Sequence, residues 1–260
     1  MTDDRLGDWR IQAATRLAAD VPSAFPGGPS HKTGTPVYLV TTTTNPKKQP
    51  VSFVTPSAVA LALSVAMRVS VEAESLASKL QFEEVVTPTG KGKSVKNQDL
   101  GLLYDYFEHC MIAVTFSFQA LETYCNHVIV DKLKYNFSLQ RRDGIKSFTP
   151  AELERGVSTE EKLSVVLPSL LGVGTPKGKK VWQDFVTLKR ARDSTIHLKS
   201  SDQYPNTPPT NIVDEENLFF QFLNKKPKDF PKSAIHLIKY FLDQKELPRW
   251  FQNPVEFLTL

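Results

Sequence analysis

Apolar residues recur along this chain at two spacings, and the longer runs follow the helical one. Leu102, Leu103, Tyr106, Cys110, Val114, Phe118, Leu121, Cys125, Val128 and Ile129 predict one long helix over about 98–135. Val181, Trp182, Phe185, Val186, Leu188 and Ile196 predict a second over about 179–197. Ser158, with Glu161 three residues on, is a helix-starting pair, and Leu163, Val166, Leu167 and Leu170 form the inward face of the run to about 171. Thr55-Pro56-Ser57 reads as another start, with Thr55 capping and Pro56 in the first turn, and the long helix follows over Ala58 to about Phe82. Its first half is apolar nearly all round, which predicts burial against more than one neighbour. Leu6, Trp9, Ile11, Ala14 and Leu17 predict a short amphipathic helix over 6–20, and 214–223 and 231–243 predict two more.

Strand patterning is confined to one place. Val37–Val40 and Val51–Val54 flank Asn45-Pro46-Lys47-Lys48-Gln49-Pro50, which has the composition of a turn, so a small β-hairpin is expected. Residues 22–36, 87–93, 136–156 and 199–210 read as connections. The expected fold is all-α: a helical bundle with a small N-terminal β-hairpin. Its parts are an extension over 1–97, a helical domain over 98–245 and an aromatic docking tail over 246–260.

Composition narrows the class without naming an activity. The chain has 260 residues, 40% hydrophobic and 23% charged, which suits a packed core rather than disorder. The net charge of +4 permits RNA binding without demanding it. Cys110 and Cys125 lie on one predicted helix, about 22 Å apart along its axis, too far to bridge, and read as thiols of a reducing compartment. The first residues lack a charged-then-apolar signal pattern, and the most apolar window, 58–67, is too short to span a bilayer. A cytoplasmic protein without a membrane partner is the expectation.

The chemistry concentrates at Arg190-Ala191-Arg192-Asp193-Ser194-Thr195-Ile196-His197, at the end of the second long helix. Arg192, a polar residue after it and His197 five places on form R-[polar]-x-x-x-H. Phe118-x-x-Leu121-Glu122-x-x-x-Asn126 sits on the long helix before it. Together these resemble the signature of the HEPN superfamily, over about residues 98–200. The resemblance implies a compact all-helical domain that dimerises and cuts RNA without a metal or other cofactor, using Arg192 and His197. Asp193 would orient the imidazole or bond to the other subunit, and Glu122 and Asn126 would hold Arg192 or His197 in place. It also implies a toxin or defence-effector role, with a regulatory or neutralising protein partner.

The residue chemistry is compatible with that. Imidazole moves protons near neutral pH, and a guanidinium holds phosphate oxygens in a planar fork. Helical spacing puts Asp193 and His197 on one face at i, i+4, with Arg192 off it. Lys189 and Arg190 are candidate RNA contacts, and the basic segments Lys91, Lys93, Lys96 and Lys177, Lys179, Lys180 are candidate guides for a phosphate backbone. His109, His127 and His236 have no metal-ligand spacing, so no metal site is assigned. Gly174-Thr175-Pro176-Lys177-Gly178-Lys179-Lys180 falls short of a phosphate loop, with three residues between its glycines and no Ser or Thr after the lysine. Two rival readings stand beside the nuclease: a non-catalytic HEPN-like dimer that binds RNA or a nucleotide or acts as a scaffold, and a helical interaction protein in which Arg192 and His197 are a surface arginine and a helix-terminal histidine.

Overall fold

A computed structural model describes residues 7–87, 90–198, 217–242 and 247–259. They form two compact units: the described residues of Met1–Leu61 with those of Lys245–Leu260, and those of Ala62–Gln244.

The first unit is built on backbone pairing. Strands β1 (Ala14–Arg16) and β2 (Pro36–Tyr38) pair antiparallel, as do β3 (Val40–Thr44) and β4 (Pro50–Val54). Leu39 joins the two pairs, its N–H donating to Ala13 and its carbonyl accepting from Thr55. The expected hairpin is present as β3–β4, turned by Asn45, whose side-chain oxygen accepts from the N–H groups of Lys47 and Gln49. The helix expected over 6–20 is overturned. Its described part forms β1 and the bridge from Ile11 to Pro56, and Val21, just beyond it, bridges to His31. Partners distant in sequence satisfy this backbone, and local periodicity carries no information about them. Arg249 donates to the carbonyls of Asp8 (2.8 Å) and Gly7 (2.7 Å), so the C-terminal segment is tied to the first described residues. Trp250 and Phe251, in a 3-10 turn ahead of the last short helix, are buried.

The second unit is mainly helical. Helix α1 (Ala58–Ala77) begins inside the first unit and continues into the second. It starts at Ala58 as expected, but Ser57 rather than Thr55 caps it, its hydroxyl accepting from Ala60 N–H, and Pro56 sits in a bridge. Its end lies earlier, because Phe82–Thr87 is β5, paired antiparallel with β6 (Gly90–Val95). The hairpin closes on the start of α2 (Leu100–Lys132), where Asp99 accepts from Gln81 N–H at 2.9 Å. A further hairpin, β7 (Phe137–Arg141) with β8 (Gly144–Phe148), follows α2. So the described residues of 87–93, and most of 136–156, belong to strands or to a helix rather than to loops, and the all-α expectation is corrected. Of the described residues about 53% are helical, and they also form four two-stranded antiparallel sheets, a mixed α/β fold that is largely helical.

Helix α3 (Pro150–Gly156) opens with a reciprocal capping box between Thr149 and Glu152. Ser158 caps α4 (Thr159–Glu161) as its sequence suggested. A π turn, Lys162–Val166, then joins α4 to α5 (Leu167–Leu171). Pro168 explains the widening: it has no N–H to return to Ser164. The Ser164 carbonyl instead accepts from the Thr175 hydroxyl at 2.9 Å. Gly172, with φ of 65°, ends α5 in the left-handed conformation.

Helices α6 (Lys180–Ile196), α7 (Leu218–Leu223) and α8 (Asp229–Phe241) complete the unit, and α9 (Gln252–Phe257) belongs to the first. Residues 214–216 and 243, parts of the helices expected there, lie outside the described residues. Helices α2, α6 and α8 pack against one another around the core. Phe118 of α2 stacks on Phe185 of α6 at 6.2 Å between centroids. Tyr106 of α2 donates its hydroxyl to the Phe222 carbonyl at the end of α7 (2.6 Å), a carbonyl the helix leaves without a partner of its own. Glu74 on α1 forms an ion pair with Lys228, and the Glu72 carboxylate lies 3.3 Å from the His109 ring.

Candidate functional site

The site begins with the seating of α6. Phe185, Leu188, Ala191 and Thr195 are its buried residues, and the Thr195 hydroxyl returns to the Ala191 carbonyl at 2.8 Å. Arg192 follows Ala191 and lies against α2. Its guanidinium carbon sits 4.8 Å from the Phe118 ring centroid, a cation held over a π face. One guanidinium nitrogen, Nη1, donates to Asp193 Oδ1 at 3.0 Å, and the side chain keeps 34% exposure. The arginine is therefore oriented by an aromatic ring and by a carboxylate, with no hydrogen bond from its other N–H groups among the described residues.

His197 is the C-cap of α6. Its N–H donates to the Asp193 carbonyl at 2.9 Å, while its ring is exposed and bonds to no group among the described residues. Asp193 thus serves both residues with different atoms: its carboxylate holds Arg192, and its backbone oxygen fixes His197. The i, i+4 carboxylate–imidazole bond that spacing allowed is not made.

Glu122 and Asn126 belong to a different network. Asn126 Oδ1 accepts from Lys162 Nζ at 2.9 Å, and the same ammonium donates to the Glu154 carbonyl at 2.7 Å. Lys162 is 1% exposed, held in the π turn. Burial lowers its pKa, while Cys125, Glu122 and Glu154 act the other way. Beside it, burial pushes the Cys125 thiol far up, Lys162 opposing this and Glu122 adding to it. Glu122 lies one turn beyond Phe118, the ring under Arg192. Nothing in the sequence singles out Lys162, and only its polar neighbours at 122 and 126 hint that this face of α2 meets something charged.

Neither a family model, nor a curated protein, nor a solved structure matches this chain.

The remaining basic residues divide into held and exposed. Lys189 pairs with Glu160 at 3.1 Å, whereas Arg190 is exposed on the solvent face of α6. Lys179 lies over the Tyr240 ring and donates to its hydroxyl, Lys177 lies over Trp182, and Lys180 pairs with Asp184. Lys96 donates to the Gln81 side chain, and Lys91 and Lys93 are on β6. Among the described residues no group of three or more His, Cys, Asp and Glu side chains converges as a metal-ligand set, and no helix is long and apolar enough to cross a membrane.

Proposed function

We propose that this chain is a metal-independent endoribonuclease of the HEPN type, working as a homodimer in which each copy contributes Arg192 and His197. The observation that carries the reading is the last turn of α6. There an arginine has its guanidinium carbon 4.8 Å from the Phe118 ring centroid and is held by Asp193, and an exposed imidazole occupies the C-cap of the same helix.

In the proposed reaction Arg192 holds the non-bridging oxygens of the scissile phosphate with the N–H groups Asp193 leaves available. Neutral His197 takes the proton of the ribose 2′-hydroxyl. The 2′-oxygen then attacks phosphorus and the bond to the 5′-oxygen breaks. The departing 5′-oxygen takes a proton from the second copy's imidazolium. The products are a 2′,3′-cyclic phosphate and a 5′-hydroxyl. The second copy comes from the HEPN resemblance, which implies two such helices meeting across a two-fold, so that one His197 acts as base and the other as acid. Arg190, on the exposed face, would contact the RNA backbone, and Lys189 would do so on release from Glu160. A toxin or defence role, restrained by a protein partner, extends the same proposal.

One observation favours a non-catalytic reading instead. Within a single chain nothing among the described residues orients the His197 ring, an arrangement as suited to binding RNA or a nucleotide as to cutting it. The two readings separate in one assay: a mixed RNA pool incubated with purified protein in EDTA, wild type beside Arg192→Ala and His197→Ala, each shown folded and in the wild-type oligomeric state. We expect cleavage by the wild type alone, with cyclic phosphate ends. RNA bound and left intact by the wild type would select the binding protein. Cleavage that survives both substitutions would remove these residues from the site. Growth arrest on overexpression, relieved by His197→Ala, tests the toxin role.

A further inference from the structure

The β3–β4 hairpin of the first unit takes no part in the proposed cleavage of RNA. Every residue of β4 is exposed, and so is every residue of β3 except the half-buried Thr41, so both faces of the ribbon meet solvent. A two-stranded ribbon gains little stability alone, so one left bare on both faces calls for a partner.

Its tip is rigid. Asn45 Oδ1 accepts from the N–H groups of Lys47 at 2.9 Å and Gln49 at 3.0 Å, and Asn45 Nδ2 donates to Gln49 Oε1 at 3.0 Å. The Lys48 N–H donates to the Asn45 carbonyl at 2.8 Å. These bonds hold Lys48 at φ of 59°, the left-handed region, where glycine or asparagine is less strained. Among the described residues it is the one non-glycine residue so placed. Strain kept at an exposed turn points to a function for the side chain it carries. Lys47 and Lys48 are both exposed, and neither ammonium is paired among the described residues.

The charge there is one-sided. No Asp or Glu occurs anywhere in 21–71, although the chain has 28. Other basic hairpins differ: Lys93 of β6 faces Glu84 across its ladder, and Arg141 of β7 pairs with Glu161. The tip of β3–β4 therefore fits an anionic partner, and nothing on its ribbon repels a polyanion.

Shape narrows the choice. Thr42, Thr44 and Ser52 share one face of the ribbon, and apart from Phe53 the side chains of both strands are short, so the ribbon is thin. The major groove of B-form DNA admits a two-stranded ribbon, and hydroxyls there can bond to base edges. The major groove of A-form RNA is too deep and narrow for side chains to read. A bilayer fits less well. The apolar Val40, Phe53 and Val54 lie at the base of the hairpin, so the two lysines at its tip would have to enter first.

We propose that the β3–β4 hairpin is an arm that enters the major groove of duplex DNA, with Lys47 and Lys48 on backbone phosphates and the Thr42, Thr44 and Ser52 face toward base edges. DNA lacks the 2′-hydroxyl that the proposed cleavage requires, so this inference and the nuclease reading fail separately.

The test is fluorescence anisotropy of the full chain with a labelled DNA duplex of roughly 20 base pairs at about 50 mM salt, beside a duplex and a single strand of RNA of the same sequence. The RNA measurements use His197→Ala, so that cleavage does not intrude. We expect saturable binding of the DNA duplex, tighter than of either RNA. Lys47→Gln/Lys48→Gln should weaken it about 10-fold and lower the slope of log affinity against log salt by about 2 for each hairpin engaged, two phosphate contacts at about 0.9 each. Thr44→Glu, which puts a carboxylate on the groove face, should abolish binding with both lysines intact. Lys79→Gln/Lys226→Gln removes equal charge outside the hairpin and should change the affinity little. Circular dichroism first shows each variant folded. Four results would each overturn the inference: no saturable binding of the DNA duplex, equal weakening by the two double variants, unchanged binding by Thr44→Glu, or RNA bound as tightly as DNA through Lys47 and Lys48.

Discussion

Lys162 is a charged side chain with 1% exposure, and its stability rests on two acceptors. Lys162→Ala leaves Asn126 Oδ1 and the Glu154 carbonyl without their donor and opens a cavity, for which we expect a loss of about 2–4 kcal/mol in urea denaturation. Lys162→Met fills the space and leaves the acceptors bare, so we expect about 1–3 kcal/mol. If the methionine variant is as stable as wild type, the two hydrogen bonds contribute nothing net. The two thiols give a second check at this scale. Cys110 and Cys125 are fully buried, and burial raises both, Cys110 to about 12. We expect neither to react with a disulfide reagent at neutral pH in the native state and both to react in denaturant, since the thiolate is the nucleophile. Rapid native labelling of either would place it at the surface. The residue scale also shows what sequence alone could not supply. Lys162 leaves no sequence signal, because a lysine on a helix is ordinarily solvated. The π turn and the Asn126 side chain reverse that ordinary rule. Arg192 and Phe118 both stand out in the sequence, but their contact joins two helices and leaves no mark in either segment.

Among elements, those with long local repeats are the ones the sequence reveals. The stripes on α2 and α6 run over several turns, and the Ser158 cap is a local signal, so these match within a few residues. The hairpins are hidden for separate reasons. Gly90-Lys91-Gly92-Lys93-Ser94-Val95 has no apolar alternation, and its partner β5 follows so closely on α1 that its first residue reads as the end of that helix. The β7–β8 turn does carry a signal, Asp143-Gly144, with Gly144 at φ of 119°, but the polar residues around it read as loop. Caps and turns make testable claims here. Thr149→Ala removes one half of the α3 capping box and should cost about 1 kcal/mol. Thr175→Val removes the donor that replaces the missing Pro168 N–H at Ser164, and we expect a loss of about 1–2 kcal/mol. If Thr175→Val is neutral while Thr149→Ala is not, water satisfies Ser164 equally well. Chemical denaturation of both variants under one set of conditions decides it.

At the scale of the whole chain, acid separates one contribution to the first unit from the rest. Arg10, which donates from its side chain and backbone to Asp8, holds that carboxyl at about 2, below its ordinary 3.8. The folded state therefore binds this proton less readily than the unfolded chain. The resulting stability is complete above pH 3.8 and is lost as the pH falls through about 2. Asp8→Asn should flatten the stability profile in that window and leave neutral pH little changed, because the pair is exposed and screened. A profile identical to wild type between about pH 4 and pH 2 would mean the ion pair has no net effect.

The first unit draws on both ends of the sequence, with Arg249 bonded to Gly7 and Asp8. On a ribosome, synthesis runs in one direction. Residues 7–61 emerge first and must wait while the whole of 62–244 is made before the segment carrying Arg249, Trp250 and Phe251 arrives. The strands β1 to β4, several of whose apolar side chains stay exposed even in the finished protein, spend that interval without their last partner. The later-encoded unit has all its elements first, so the order of completion in the cell is the reverse of the order in the gene.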